Sequence, residues 1–190
     1  MIRLFIAFTS LLPLKINHSF GSFIGYLLYL FNSEAKSVSK QNLEICFPGL
    51  SELELKSLLK KVLTETGKGL TESGLIWNQN FTDNAKLIRN INGEHYLDSS
   101  KKTILLVPHM GCWEITGRVL AEKRNVTFMY RPLRSNKQNE YLFSRRNQGN
   151  LTMASADKLG ILKIQRALNN GDLVGMLPDQ DPGKEGGLMS

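Results

Sequence analysis

The chain has 190 residues, enough for one compact domain and too many for a minimal disulfide scaffold. Hydrophobic residues make up 42% and charged residues 22%, a balance that supports a folded core and excludes wholesale disorder. The net charge of +7 indicates an acidic partner or an anionic surface, and six of these units fall within residues 123–146. Cys46 and Cys112 lie far apart without a paired histidine cluster, so neither a disulfide framework nor a zinc site is indicated.

The first 31 residues contain no acid, and they hold two apolar runs, 4–14 and 20–31, separated by a polar stretch. Each run is shorter than the roughly 20 residues that a helix needs to span a bilayer. Aromatic residues are frequent in the second run, which suits a membrane interface. We expect residues 1–31 to form a membrane-anchoring helical segment, with a pair of buried core helices as the alternative, and residues 32–190 to form a second domain.

A capped helix is predicted to begin after Ser51. Ser51 followed by Glu54 is the pattern of a capping box, in which each side chain binds the backbone N–H of the other residue. Behind this box, apolar residues recur at helical spacing as far as Leu63, a stripe typical of a helix that faces a core. Glycines then loosen the pattern towards Trp77.

From about residue 88 the pattern changes to strands that alternate with helices. Strands are expected at 103–107, 126–130, 151–153 and 173–177. Helices are expected between them, near 113–123, in the polar stretch before Arg146, and at 158–168. Strands separated by helices of this length indicate βαβ units. The predicted fold class is α/β, with a mixed but largely parallel sheet flanked by helices.

Polar residues follow three of these strands at the point where each strand ends. They are His109 and Glu114 after the first strand, Arg131 after the second, and Asp179 and Asp181 after the fourth. In open α/β sheets, ligands bind outside the carboxyl ends of the strands. We therefore expect these side chains to meet at one edge of the sheet, where they mark a candidate active site.

His109 is the expected general base, because histidine side chains titrate near neutrality and can deprotonate a hydroxyl group. Glu114, five residues further on, could hydrogen-bond the other ring nitrogen and stabilise the imidazolium, as the acid of a catalytic triad does. A structural histidine capped by a nearby carboxylate is the alternative for these two residues.

Residues 105–114, LLVPHMGCWE, resemble the signature block of the lipid A biosynthesis acyltransferases, the lauroyl and myristoyl transferase family. Two further blocks agree with this family in order and spacing, MYRPL at 129–133 and LPDQDPG at 177–183. Weaker matches include GEHY at 93–96 and the two arginines ahead of Gly149. The resemblance covers nearly the whole chain, including its apolar N-terminus.

The resemblance implies a bacterial inner-membrane enzyme with a glycerolphosphate acyltransferase-like fold and an active site that faces the cytoplasm. Such an enzyme moves a fatty acyl chain from acyl carrier protein to a hydroxyl of a lipid A precursor and needs no cofactor. Residues 32–190 would be its acyltransferase domain. Family members continue past the Asp-Gln block with further strands, so we expect this chain to lack the C-terminal part of that domain.

The resemblance also assigns roles to residues of this chain. The H-x4-D/E motif of the family maps onto His109 as the base and Glu114 as the acid that orients it. A family arginine maps onto Arg146, or onto Arg145, because two adjacent arginines leave the register open. Asp179 lies in the Asp-Gln block, where a binding or site-shaping role is implied. Asp181 and Arg131 complete the expected substrate-binding set.

The basic segment 123–146 then becomes an expected docking surface for the acidic carrier protein and for lipid phosphates, with a solvated helix face as the alternative. Nucleic-acid binding is not expected, because no aromatic interleaving accompanies the charge. Alternative functions stay open. Asp179 and Asp181 could bind a metal ion in a membrane-bound glycosyltransferase, or the chain could be an inactive remnant that binds anionic membrane. Cys112 stands where the family commonly has asparagine, so a covalent acyl-cysteine is an alternative to direct transfer.

Overall fold

The structure, a computed structural model, describes residues 2–97, 101–133 and 135–179. The chain folds into two compact units, Met1–Gln79 and Asn80–Ser190. The first unit is helical and the second contains a β-sheet. The predicted anchoring segment 1–31 forms the first two helices of the first unit, and its assignment as a separate anchoring domain stays a prediction.

Over residues 2–79 the structure has four helices, α1 (Ile2–Ser10), α2 (Leu14–Leu30), α3 (Glu34–Cys46) and α4 (Glu52–Asn78). The predicted capping box is confirmed at the start of α4. Ser51 Oγ accepts the backbone N–H of Glu54 at 3.4 Å, and Glu54 Oε2 accepts that of Ser51 at 2.9 Å. The apolar stripe behind the box packs in the core, where Leu59 and Leu63 are buried with Leu43 of α3.

Glycines allow α2 and α4 to approach each other with their backbones in contact. A Cβ atom built on Gly25 would lie 2.6 Å from Thr64 Cα, and one built on Gly21 would lie 2.6 Å from Lys68 Cα. Gly67 of α4 faces these two glycines in the same way. A side chain at these positions meets backbone rather than a flexible neighbour, so it can be accommodated only if the helices move apart.

We expect Gly25→Ala to lower the free energy of unfolding by about 1–3 kcal/mol, the usual cost of overpacking a tight contact. Gly69, also within α4, has no atom within 4 Å of a built Cβ, so Gly69→Ala should raise it by about 0.5–1 kcal/mol through helix propensity. Urea unfolding followed by circular dichroism measures both. A Gly25→Ala variant as stable as the wild type would contradict the close crossing.

Large apolar side chains are exposed along α1, α2 and the turn between them. They are Leu4, Phe8, Leu11, Leu14, Ile16, Phe23, Tyr26 and Leu30. Among the residues that the structure describes, no helix combines the length and the apolar character that crossing a membrane requires. The predicted membrane association of this segment stays a prediction.

Among the described residues of the second unit, four strands form one sheet: β1 (Thr103–Leu106), β2 (Val126–Tyr130), β3 (Leu151–Ser155) and β4 (Leu173–Met176). Their spatial order is β1-β4-β2-β3, and each pair of neighbours is parallel. The α/β class and the parallel sheet are confirmed. These four strands form a purely parallel sheet, where a mixed one was predicted. Their bounds differ from the predicted ones by at most two residues.

Helices connect consecutive strands and cover both faces of the sheet. They are α6 (Glu114–Ala121), α7 (Asn136–Arg146) and α8 (Lys158–Asn169), preceded in the chain by the short α5 (Phe81–Ala85) and a 3-10 turn at Glu94–Leu97. On one face, Phe128 and Leu151 pack with Leu120 of α6. On the other face, Val174 packs with Ile164 of α8. Alternate residues of each strand thus serve opposite faces, as the pleat requires.

Candidate active site

The register of the sheet brings His109 and Asp179 together. β1 and β4 are parallel neighbours, with Leu106 opposite Met176. His109 and Asp179 each come three residues after this pair. Asp179 Oδ1 lies 2.9 Å from Nδ1 of His109, and Asp179 Oδ2 accepts the backbone N–H of His109 at 2.7 Å. One carboxylate therefore holds both the ring and the backbone of the histidine.

The same carboxylate decides which ring nitrogen of His109 carries the hydrogen. An ionised carboxylate only accepts hydrogen bonds, so Nδ1 donates and the neutral ring has its lone pair on Nε2. The ring and then the backbone N–H of His109 hold the pKa of Asp179 below its usual range, because both stabilise the charged form. The contact is therefore complete at neutral pH and is lost as the pH falls through that lowered pKa.

A second polar pair joins α6 to α7. Glu114, the first residue of α6, accepts a hydrogen bond from Nε of Arg146 at 3.1 Å and another from its Nη2. Arg146 is the last residue of α7. Two N–H groups of one guanidinium on one carboxylate form a bidentate contact, the stronger and more directional kind of ion pair. The side chains of Glu114 and Arg146 are only 11% and 21% exposed, so water screens the pair weakly.

Trp113 lies between these two pairs. Its ring meets the ring of His109 edge to face, with 4.9 Å between centroids. The guanidinium of Arg146 lies 5.5 Å from the Trp113 ring centroid, within cation–π distance. The sequence predicted no role for this residue, although its position directly before Glu114 was the available signal.

A cavity of about 690 Å³ opens beside these side chains. Its polar wall includes His109, Glu114, Arg131 and Arg146. The rest of the wall is largely apolar and includes Trp113, Phe128, Met129, Leu133, Leu151, Met153, Met176 and Leu177. The volume is typical of a small-molecule site. A cavity of this kind suits a substrate with a long apolar part and a polar reacting end.

Comparison with known proteins shows what kind of chain carries this site. Residues 2–189 match the profile of a family described as bacterial lipid A biosynthesis acyltransferase. The chain belongs to this family. The resemblance inferred from the sequence blocks is thereby confirmed.

Among similar curated proteins is the lipid A biosynthesis lauroyltransferase of Escherichia coli K12, 29% identical over 90% of this chain and 56% of the relative. The lipid A biosynthesis palmitoleoyltransferase of the same organism is 28% identical over 92% of this chain and 58% of its own length. A lipid A biosynthesis acyltransferase of Haemophilus influenzae is 25% identical over 92% and 55%. The chain spans little more than half the length of the curated relatives it matches.

The structure brings most of the predicted site residues together, but the carboxylate that contacts the His109 ring differs from the predicted one. The carboxylate on the ring of His109 is that of Asp179, where the sequence predicted Glu114. Glu114 lines the same cavity and is bound by Arg146. Arg131 also lines the cavity, as expected.

Of the two candidate arginines, Arg146 is the one in the cavity wall. The guanidinium of Arg145 lies over the ring of Tyr141, 5.3 Å from its centroid. Its position makes Arg146 the better placed of the two, and the role of the arginine stays a prediction. Asp181 lies outside the described residues.

The basic side chains of segment 123–146 differ in their surroundings. Lys123 forms an ion pair with an acidic side chain, and Arg124 donates to two backbone carbonyl oxygens. Both side chains are engaged within the chain, and of the two Lys123 remains exposed. Arg131 and Lys137 are exposed, and the predicted docking surface depends on side chains of this kind.

Proposed function

We propose that the second unit carries an acyl-transfer site, which moves a fatty acyl chain from acyl carrier protein to a hydroxyl of a lipid A precursor. The observation that carries the proposal is the apolar cavity with His109 in its polar wall. A fatty acyl thioester is apolar along its chain and reacts only at one end, so its chemistry matches that division. Membership of the lipid A acyltransferase family supports this reaction class.

His109 acts as the general base in the proposed reaction. Its Nε2 takes the proton of the acceptor hydroxyl while the hydroxyl oxygen attacks the thioester carbonyl carbon. Asp179 fixes the ring and stabilises the imidazolium, the role that the sequence assigned to Glu114. When the tetrahedral intermediate collapses, the carbon–sulfur bond breaks and the imidazolium returns the proton to the departing thiolate. The products are an ester and the free thiol of the carrier.

Arg146 is the proposed donor for the negative charge that develops on the thioester oxygen. A guanidinium that is already in place costs no reorganisation when that charge appears, which makes such a donor effective. Glu114 belongs to the catalytic site in this proposal because its carboxylate accepts two hydrogen bonds from the guanidinium. Arg131 and Asp181 remain proposed substrate-binding residues, with exposed Arg131 suited to a lipid phosphate.

Lipid A precursors are membrane glycolipids, so the enzyme must bind a membrane to reach its acceptor. The exposed apolar side chains of α1 and α2, together with basic Arg3 and Lys15, are suited to the headgroup region of an anionic bilayer. We propose that these helices lie on the bacterial inner membrane, with the site facing the cytoplasm where the acyl carrier protein is found.

Mass spectrometry tests the proposed function directly. Cells that lack their own late acyltransferase, when supplied with this chain, should make a lipid A heavier by the mass of one acyl chain. The purified chain, given an acyl carrier protein thioester and a lipid A precursor, should form carrier thiol and acylated lipid in equal amounts. Free fatty acid, the product of simple hydrolysis of the thioester, should not accumulate. Unchanged lipid A and no thiol release, under conditions where the Escherichia coli lauroyltransferase acts, would overturn the proposal.

A further inference from the structure

A buried arginine links the two helices that carry the site. Arg118 lies on α6, one turn after Glu114, and is only 1% exposed. Its Nη2 donates to the backbone carbonyl oxygen of Arg145 at 2.7 Å, and its Nη1 donates to Oδ1 of Asn84 at 3.4 Å. Its guanidinium also lies over the ring of Phe81, 4.8 Å from the centroid. Arg118 is not among the residues that line the cavity.

Keeping this charge inside the protein costs free energy, which its contacts must offset. Burial lowers the pKa of Arg118 to about 10, because the interior solvates the charged form poorly, while the nearby carboxylate of Glu114 acts in the opposite direction. The guanidinium therefore stays charged at neutral pH. Its hydrogen bond to a helix carbonyl is accordingly charge-assisted.

The carbonyl that Arg118 binds belongs to the residue directly before Arg146. Carbonyl groups in the last turn of a helix have no partner within that helix, and they carry the negative end of its dipole. A cation on the carbonyl of Arg145 satisfies one of these groups and stabilises the turn. Glu114 and Arg118 thus bind consecutive residues of α7. Glu114 binds the side chain of Arg146, and Arg118 binds the backbone carbonyl of Arg145.

We propose that Arg118 is a positioning residue, which fixes the C-terminal turn of α7 and thereby aims the guanidinium of Arg146 into the cavity. The Glu114 contact holds only the side chain of Arg146. With Arg118 bound to the same turn, both the backbone and the side chain are held. The catalytic consequence rests on the function proposed above, whereas the positioning itself does not.

Arg124 provides the matched control for this proposal. It is a partly buried arginine that donates to the backbone carbonyls of Leu97 and Gly171, away from α7. Arg118→Met and Arg124→Met both keep the apolar stem and remove the charged donors. Arg118→Lys keeps the charge on a single donor group, and it serves as the second variant where Arg118→Met does not fold.

The first measurement does not depend on activity. The chain has two tryptophans, so labelling with 5-fluorotryptophan gives two fluorine resonances, which the Trp77→Phe variant assigns. Because Arg146 lies over the ring of Trp113, Arg146→Met should shift the Trp113 resonance. Arg118→Met should shift it in the same direction, Arg118→Lys should shift it less, and Arg124→Met should leave it in place.

The second measurement is acyl transfer per folded molecule. Arg118→Met should lower kcat by about 10- to 100-fold with KM nearly unchanged. A misaligned Arg146 would stabilise the charge of the transition state less, while substrate binding would change little. In an Arg146→Met background the same change should have no further effect. A folded Arg118 variant with the Trp113 resonance of the wild type would overturn the positioning proposal. Failure of the wild type to transfer acyl chains would overturn the proposed function and leave the resonance test decisive for Arg118.

Discussion

Replacing His109 with glutamine should reduce acyl transfer by a factor on the order of 10² to 10⁴, the usual contribution of general base catalysis. Glutamine is of similar size and can still donate a hydrogen bond to Asp179, but it cannot take up a proton. The His109 side chain is 26% exposed and packs on Trp113, so the substitution should leave the fold intact. The measurement is kcat from the release of carrier thiol.

His95→Gln is the control for this substitution. His95 is exposed in the 3-10 turn at Glu94–Leu97, where its ring stacks on Tyr96 rather than lining the cavity. The same chemical change at this position should leave kcat and the urea midpoint at their wild-type values. If His109→Gln turned over as fast as His95→Gln, the assignment of the base would be wrong.

The sheet could be predicted from the sequence because its signals are local. A β-branched or apolar run between turn residues, repeated with helices between, specifies strands wherever it occurs. The position of His109 and Arg131 at strand ends follows from the same pattern. None of these signals states which strands are neighbours, however. The order β1-β4-β2-β3 places residues 109 and 179 side by side, and that order is a property of the folded sheet.

This limit explains why the sequence paired the ring of His109 with Glu114, whereas the structure pairs it with Asp179. Glu114 is near in the chain, and a spacing of five residues is compatible with contact. Asp179 is seventy residues away and becomes adjacent only through the pairing of β1 with β4. Local spacing shows which acids are available, whereas tertiary structure decides which one is used.

Arg118 could not have been found from the sequence for a different physical reason. Arginine is usually exposed, so an arginine in an amphipathic helix is expected to face solvent. Its burial depends on a carbonyl of α7, an amide of Asn84 and the ring of Phe81, all of which come from other parts of the chain. The open choice between Arg145 and Arg146 has the same origin, because it depends on which way the last turn of α7 faces.

Breaking the ion pair between Glu114 and Arg146 should separate its contribution to stability from its contribution to catalysis. Arg146→Met deprives a mostly buried carboxylate of its guanidinium, and Glu114→Gln deprives the guanidinium of its carboxylate. Each single substitution should lower the free energy of unfolding by about 3 kcal/mol, the usual cost of removing one partner of a buried pair. The double variant should be more stable than either single variant, because neither charge is then left behind.

Urea unfolding of the four proteins measures this coupling, and Lys86→Met is the control. Lys86 pairs with Asp83 on the surface, with 71% of the lysine side chain exposed, so its loss should leave the urea midpoint unchanged. Additive losses in the double variant would show that Glu114 and Arg146 do not act as a pair.

The order of the variants in kcat should differ from their order in free energy of unfolding. If Arg146 donates to the developing oxyanion, Arg146→Met and the double variant should both lose about 10²- to 10³-fold in kcat, although the double variant is the more stable of the two. Glu114→Gln keeps the guanidinium and loses only its alignment, so its kcat should lie between those of Arg146→Met and the wild type. Recovery of kcat together with stability in the double variant would mean that the pair serves only the packing of α6 against α7, and that the oxyanion is stabilised elsewhere.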